Sequence, residues 1–154
     1  MKNFALTERS YAMRSRGFTL VELVVTIAVL AIVLAIAAPS FQGMIERWRA
    51  RQAAESLSST LYYARSEAIR RGGNVTVGGL GGDWNSGWVV TDGGNVLQQY
   101  ETPGNLTINA ADIAFNRWGL VAGGFNSSIT AGSITMNVCM SAAGRVQVIS
   151  GGCP

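Results

Sequence analysis

Few side chains in this 154-residue chain are equipped for chemistry, and their spacing limits what that chemistry can be. Glu22 stands at the head of an apolar block in which, from Leu23 to Ala38, only Thr26 interrupts Val, Ile, Leu and Ala. A carboxylate near one end of such a block is costly in lipid, so it marks a function and calls for a partner. Cys139 and Cys153 are the two thiols. In an oxidising compartment they read as a disulfide tying the C-terminus to a preceding strand; the alternative is two unpaired thiols. Arg117 and Trp118 set a cation beside a stacking face, although such a pair is more often a structural surface contact. No histidine is present, which excludes a histidine-based triad, a histidine general base and a zinc site. Without a paired-carboxylate motif either, the chain offers no active site, metal site or cofactor site. Gly78-Gly-Leu-Gly-Gly82 fits no ordered phosphate-cradling arrangement, and no lysine follows it, so it reads as a flexible loop.

The elements that must position these residues follow from periodicity. Residues 1–17 carry Lys2, Arg9, Arg14 and Arg16 against one acid, Glu8, with no apolar period. Residues 18–38 approach the roughly 20 apolar residues that span a bilayer as a helix. Pro39 follows and is expected to kink or locally break that helix, with Gly43 a second weak point. Residues 39–72 turn amphipathic: Ile45, Trp48, Leu57, Leu61, Ala64 and Ala68 recur mostly at three- and four-residue steps, with Ala53 and Ala54 between them. Glu67 and Arg71 read as an ordinary one-turn surface contact. Gly72-Gly73 stops the helix. From residue 73 to 154 the chain becomes rich in glycine and short β-prone runs: Val75–Val77, Trp88–Thr91, Val96–Tyr100, Leu106–Ile108, Ile113–Phe115, Ile134–Met140 and Arg145–Ile149. Asp92-Gly-Gly-Asn95 signals a tight turn. The pattern predicts an α+β fold in which a long N-terminal helix packs its second half on a small, mostly antiparallel sheet. Trp84 and Trp88 face one side of a strand and are expected to serve packing. Arg47, Arg49 and Arg51 do not form one helical face, since residues two apart diverge by about 200°.

Three readings compete for the N-terminus. A secretory signal peptide would use Ala35-Ile-Ala-Ala-Pro39 as its exit, and a plain anchor would use the apolar block alone; neither gives Glu22 a purpose. The third rests on Arg16-Gly17-Phe18-Thr19-Leu20-Val21-Glu22-Leu23, which closely resembles the prepilin signature of type IV pilin-like proteins. That resemblance implies cleavage after Gly17 by a prepilin peptidase, methylation of the new N-terminal Phe18, and pairing of Glu22 with the N-terminal amine of a neighbouring subunit during assembly. It also implies a type IV pilin-like fold, with partial unwinding near Pro39 inside a filament. Removal of the leader would leave eight cationic and eight acidic side chains, so the computed basicity belongs to the leader. Positive flanking residues stay cytoplasmic. The implied location is a single pass through the inner membrane with the rest of the chain in the periplasm, then the pilus surface after assembly.

A second resemblance sharpens the first. Trp84-Asn-Ser-Gly87-Trp88, the helical run Ala54–Ala68, Phe115-Asn-Arg117-Trp118-Gly119 and the closing stretch from Cys139 to Val146 resemble the GspH/FimT family of minor pilins and pseudopilins. The function this implies is a minor pilin at or near a pilus tip that helps prime assembly, with other major and minor pilins as partners. The alternatives it carries are a DNA-binding minor pilin for natural transformation and a GspH-like pseudopilin of a type II secretion system. Some FimT-like members bind DNA through Gly-Arg-x-Arg. Here that stretch is Gly144-Arg145-Val146-Gln147, so one of two guanidinium groups is missing and with it a contact to double-stranded DNA. Arg145 and Arg117 are the DNA-binding candidates that remain.

Overall fold

The computed structural model describes residues 17–154, the side chains of residues 38–40 excepted. One helix, α1, runs from Leu20 to Arg71. It begins where Thr19 supplies a cap: the Glu22 N–H donates to Thr19 Oγ1 at 3.2 Å, satisfying one of the orphan donors of the first turn. Its helical structure continues through Pro39, so the break anticipated there is absent. A proline removes one intrahelical bond, while the turns on either side keep theirs. The helix stops at Gly72, whose φ of 63° is a left-handed conformation that ends helices at little steric cost.

The chain divides into two compact units, one up to Ala38 and one from Pro39 to Pro154. In the first, Leu20–Ala37 is long and apolar enough to cross a membrane, with a mean hydropathy of 2.9. In the second, the helix turns a stripe of small residues inward: Ala50, Ala53, Ala54, Leu57, Leu61, Ala64 and Ala68 are all buried. Alanine at these positions lets the sheets approach the helix backbone closely. The inward stripe does not include Ile45 and Trp48, which are exposed together with Phe41 and Met44. The β6–β7 turn reaches this level of the helix at Glu46, but at 100° per residue Ile45 and Trp48 lie on the opposite side from Glu46 and Ala50.

Eight strands follow, and they form two four-stranded antiparallel sheets where the sequence pattern suggests one. The first sheet orders β3-β2-β1-β5, built from Val75–Leu80 (β1), Asp83–Asp92 (β2), Asn95–Glu101 (β3) and Ile113–Phe115 (β5). The second orders β4-β6-β7-β8, from Thr107–Asn109 (β4), Phe125–Ala131 (β6), Ile134–Met140 (β7) and Val146–Ile149 (β8). β6 has no counterpart among the anticipated strands. Gly78–Gly82 is no flexible loop: Gly78, Gly79 and Leu80 are paired residues of β1, and only Gly81-Gly82 turns. Glycine is needed there because a Cβ at Gly78 would sit 2.9 Å from the Asp112 carboxyl, and one at Gly79 would sit 2.8 Å from the Trp84 backbone. Asp92 and Asn95 pair across Gly93-Gly94, both at positive φ, as the tight-turn signal anticipates.

The two tryptophans of β2 join the layers. Trp88, fully buried, stacks on Tyr100 at 4.2 Å and donates its Nε1–H to Thr60 Oγ1 of the helix at 3.0 Å. Trp84 lies against Phe125 of the other sheet and donates to Asp112 Oδ1 at 3.0 Å. Asn85 Oδ1, accepting from the Ile108 N–H at 2.8 Å, ties a side chain of β2 to the backbone of β4 in the other sheet. Both tryptophans therefore serve packing.

Candidate functional site

The N-terminal stretch has simple geometry. Gly17, Phe18 and Glu22 are all exposed, and Glu22 lies in the first turn of α1. The capped N-terminus of a helix carries a partial positive charge, which favours a carboxylate there. Thr19-Leu20-Val21-Glu22 thus has the spacing of a capping box, a feature that the apolar block hides from a reading by hydropathy. Residues 1–16, where a cleaved leader is expected, lie outside the described residues.

The C-terminal candidates lie on two turns of the second unit. Arg117 and Trp118 are exposed in the turn between β5 and β6, and Arg145 is exposed in the turn between β7 and β8. Both turns rest on Arg65 of α1, a residue that motif spacing does not single out. Arg65 Nη1 donates to Gly144 O at 3.1 Å, and a Cβ on Gly119 would lie 2.9 Å from Arg65 Cγ. With the Gln147 amide turned so that its oxygen faces Arg145, that oxygen accepts from Arg145 Nε at 3.2 Å and from Nη2. The residue standing in place of a second arginine thus takes up hydrogen-bonding capacity of the first.

Cys139 and Cys153 are disulfide-bonded, with their Cα atoms 5.6 Å apart. The bridge ties the C-terminus to β7 and encloses both the Arg145 turn and β8. At the other end of the sheet, Glu46 accepts from the Ser133 N–H at 3.2 Å and holds the β6–β7 turn against the helix.

One charge cluster differs from the sequence pattern. Glu67 is a buried acid, not an ordinary surface contact: Arg70 and Arg71 both bond its Oε2, Arg71 at 2.7 Å, and Arg71 continues to Asp92 at 3.1 Å. Hydrogen bonds from Arg70, then Arg71, hold the Glu67 carboxyl below its usual range. Asp83 is also lowered, chiefly by the backbone N–H of Asn85 and then the Ser86 hydroxyl. Arg47 and Arg51, one turn apart, line a groove of about 710 Å³ with Glu55, Ile134, Met136 and Val148. The arginines at 47, 49 and 51 do not form one face, but 47 and 51 do share one.

A prepilin-like N-terminus leading into a helix backed by antiparallel sheets defines a pilin-like subunit. Residues 12–38 match the prokaryotic N-terminal methylation motif, and residues 53–152 match the family described as type II transport protein GspH. The chain belongs to this GspH family, a group of type IV minor pilins and pseudopilins. Among solved structures, the type IV minor pilin FimU of Pseudomonas aeruginosa superposes with a TM-score of 0.58 at 24% identity, covering 68% of this chain and 91% of that one. The minor pseudopilin EpsH from the type 2 secretion system of Vibrio cholerae gives 0.54 at 16% identity, covering 68% of this chain and 99% of that one. These likenesses are of fold. No curated protein matches the chain.

Proposed function

We propose that the chain is a minor pilin of a type IV pilus, incorporated at or near the tip and helping to prime assembly. The observation that carries this reading is the apolar segment Leu20–Ala37, long and apolar enough to cross a membrane, with a carboxylate in its first turn. A surface of that length needs either lipid or neighbouring helices to cover it. Prepilin peptidase cuts after Gly17, the leader leaves, and the amine of Phe18 becomes the cation that Glu22 lacks. In the membrane, before assembly, Glu22 is an uncompensated acid. Docking beside a subunit whose Phe18 amine reaches it neutralises both charges in a medium where their attraction is strong. This favours lateral entry into the filament and sets axial register. The exposed stripe Phe41, Met44, Ile45 and Trp48 offers neighbouring helices a further apolar surface on the second unit. The globular part is periplasmic before assembly and displayed on the pilus afterwards. No step requires catalysis.

Surface pili sheared from a clean deletion strain test the priming role. Loss of pili, restored by the wild-type chain but not by Glu22→Gln, is the expected result. Pili persisting in normal amount contradict priming and favour the reading as a pseudopilin of a type II secretion system.

A DNA-uptake role is a second reading. Convergence of the Arg117 and Arg145 turns on Arg65 favours it, while the engagement of Arg145 by Gln147 weakens it. It requires a salt-sensitive shift of double-stranded DNA by the detergent-solubilised full chain, lost in Arg145→Ala. No shift at low salt removes it.

A further inference from the structure

The outward side of α1 changes character within the second unit. Phe41, Met44, Ile45 and Trp48 recur at steps of three and four and are all exposed, Trp48 by 63%. At 100° per residue they share one side of the helix. The next residues on that side, Gln52, Glu55 and Ser59, are exposed and polar. Single apolar residues on a surface need no explanation, but a contiguous patch marks a contact. This patch ends abruptly after Trp48, and its flanks are cationic. Arg47 and Arg49 stand about 100° to either side of Trp48. Arg51 is engaged by Glu55 at 2.8 Å, whereas Arg47 and Arg49 have no ion-pair partner among the described residues.

Counting residues gives the patch a depth. Between Glu22 and Glu46 no side chain carries a charge. From Glu22, the roughly 20 helical residues that cross hydrocarbon run out at about residue 42. The headgroup layer beyond is about 5–8 Å thick, or about three to five more helical residues. Phe41, Met44 and Ile45 fall at this boundary. The Trp48 ring reaches back toward it, because helical side chains lean toward the N-terminus. Gln52 and Glu55 follow where water begins. We propose, resting on the reading of Leu20–Ala37 as a membrane span, that in the unassembled subunit this patch is seated in the phospholipid headgroup layer on the side away from Glu22, with Arg47 and Arg49 on lipid phosphates. Tryptophan is favoured at that level, where its ring meets hydrocarbon and its N–H meets water. Arginine reaches past an apolar face to a phosphate oxygen. The second unit thus holds lipid on its own account and fixes the depth of the subunit before a filament forms.

The test reads Trp48 fluorescence in the full chain, reconstituted into vesicles of phosphatidylcholine and phosphatidylglycerol. Trp118→Phe removes the other exposed tryptophan, while Trp84 and Trp88 are buried. The Trp48 signal is the part of the emission that Trp48→Phe then abolishes. Vesicle lipids carry bromine either close to the headgroup or near the chain ends. The expected result is blue-shifted Trp48 emission, quenched more by the shallow bromines than by the deep ones and little by iodide in the water. The paired reversals Arg47→Glu and Arg49→Glu should shift that emission to the red and admit iodide; an unchanged spectrum overturns the phosphate contacts. Quenching by iodide and by neither lipid places Trp48 in water and overturns the proposal. Protection from iodide without bromine quenching does so too, because a neighbouring helix is then the occupant. Val29→Trp, in a chain lacking Trp48 and Trp118, reports on the span. Deep quenching there with none at Trp48 overturns this proposal alone; no bromine quenching at position 29 overturns the membrane-span reading and the proposal with it.

Discussion

Removing the disulfide should have a large, calculable effect. Cys139 and Cys153 are separated by 14 positions, and cross-linking a loop of about 15 residues removes unfolded-state entropy worth about 3 kcal/mol at 25 °C. The half-buried Cys153 is the better site for substitution, because Cys139 is buried in β7 and its loss would add a packing cost. Cys153→Ala leaves the strand register untouched, so the whole effect should come from releasing the chain after β8. With a urea dependence of about 1.5 kcal/mol per M, a loss of that size lowers the midpoint by about 2 M. The assay is urea unfolding of the detergent-solubilised full chain, read by tryptophan fluorescence; Trp88, fully buried against Tyr100, provides a sensitive signal. Reducing the wild-type protein should reproduce the shift, and reductant should leave Cys153→Ala unchanged. A midpoint shift below about 0.5 M in both experiments would refute the reasoning, because the loop would then be as restricted without the bridge as with it.

Other perturbations test other parts of the structure. Trp88→Phe keeps most of the buried ring volume but loses the bond to Thr60 Oγ1, and should cost about 1–2 kcal/mol in the same unfolding assay. Gly144→Ala, at φ 79° with Arg65 against its missing Cβ, should cost about 1–3 kcal/mol, while Gly151→Ala in open space stays within about 0.5 kcal/mol. Because the folded-state pKa of Glu67 is lowered from 4.5, its contribution to stability is complete above that value and is lost as pH falls through the folded value beneath it. Asp83 acts in the same sense from 3.8. The urea midpoint should therefore fall as pH drops below about 5, and Glu67→Gln should flatten that slope; an unchanged slope would show that the Arg70–Glu67–Arg71 cluster does not couple to folding.

The helix was legible because its signals are local. Ala53, Ala54, Leu57, Leu61, Ala64 and Ala68 announce a 3.6-residue period, and Gly72 an end. Ile45 and Trp48 are exposed because they stand on a different side of the helix from that stripe: nine residues separate Trp48 from Leu57, which at 100° each is half a turn out of phase. The strand signals at Ile113–Phe115 and Ile134–Met140 matched the observed bounds. β6 was hidden because Asn126, Ser127 and Ser128 interrupt its apolar alternation, and tertiary pairing with β7 overrides that weak propensity. Gly78 and Gly79 suggested a loop for a related reason. Asp112, which crowds Gly78, is distant in sequence, and the Trp84 backbone closes on Gly79 only when β1 and β2 pair. Among the site residues, Gly17, Phe18 and Glu22 announce themselves by spacing. Arg65 becomes visible only once the two turns that it supports are folded against it, and Glu67 reads as a surface acid until its burial is seen.

The central claim is that residues 1–17 are a prepilin leader and that the chain enters filaments from the membrane. The most direct measurement is the mass of the N-terminal peptide of this protein recovered from sheared filaments. The account predicts a chain that begins at Phe18 and carries one methyl group on its N-terminal amine. A chain that begins at Met1, or just after the apolar block near Ala38, or that is missing from filaments shown to be intact, contradicts it.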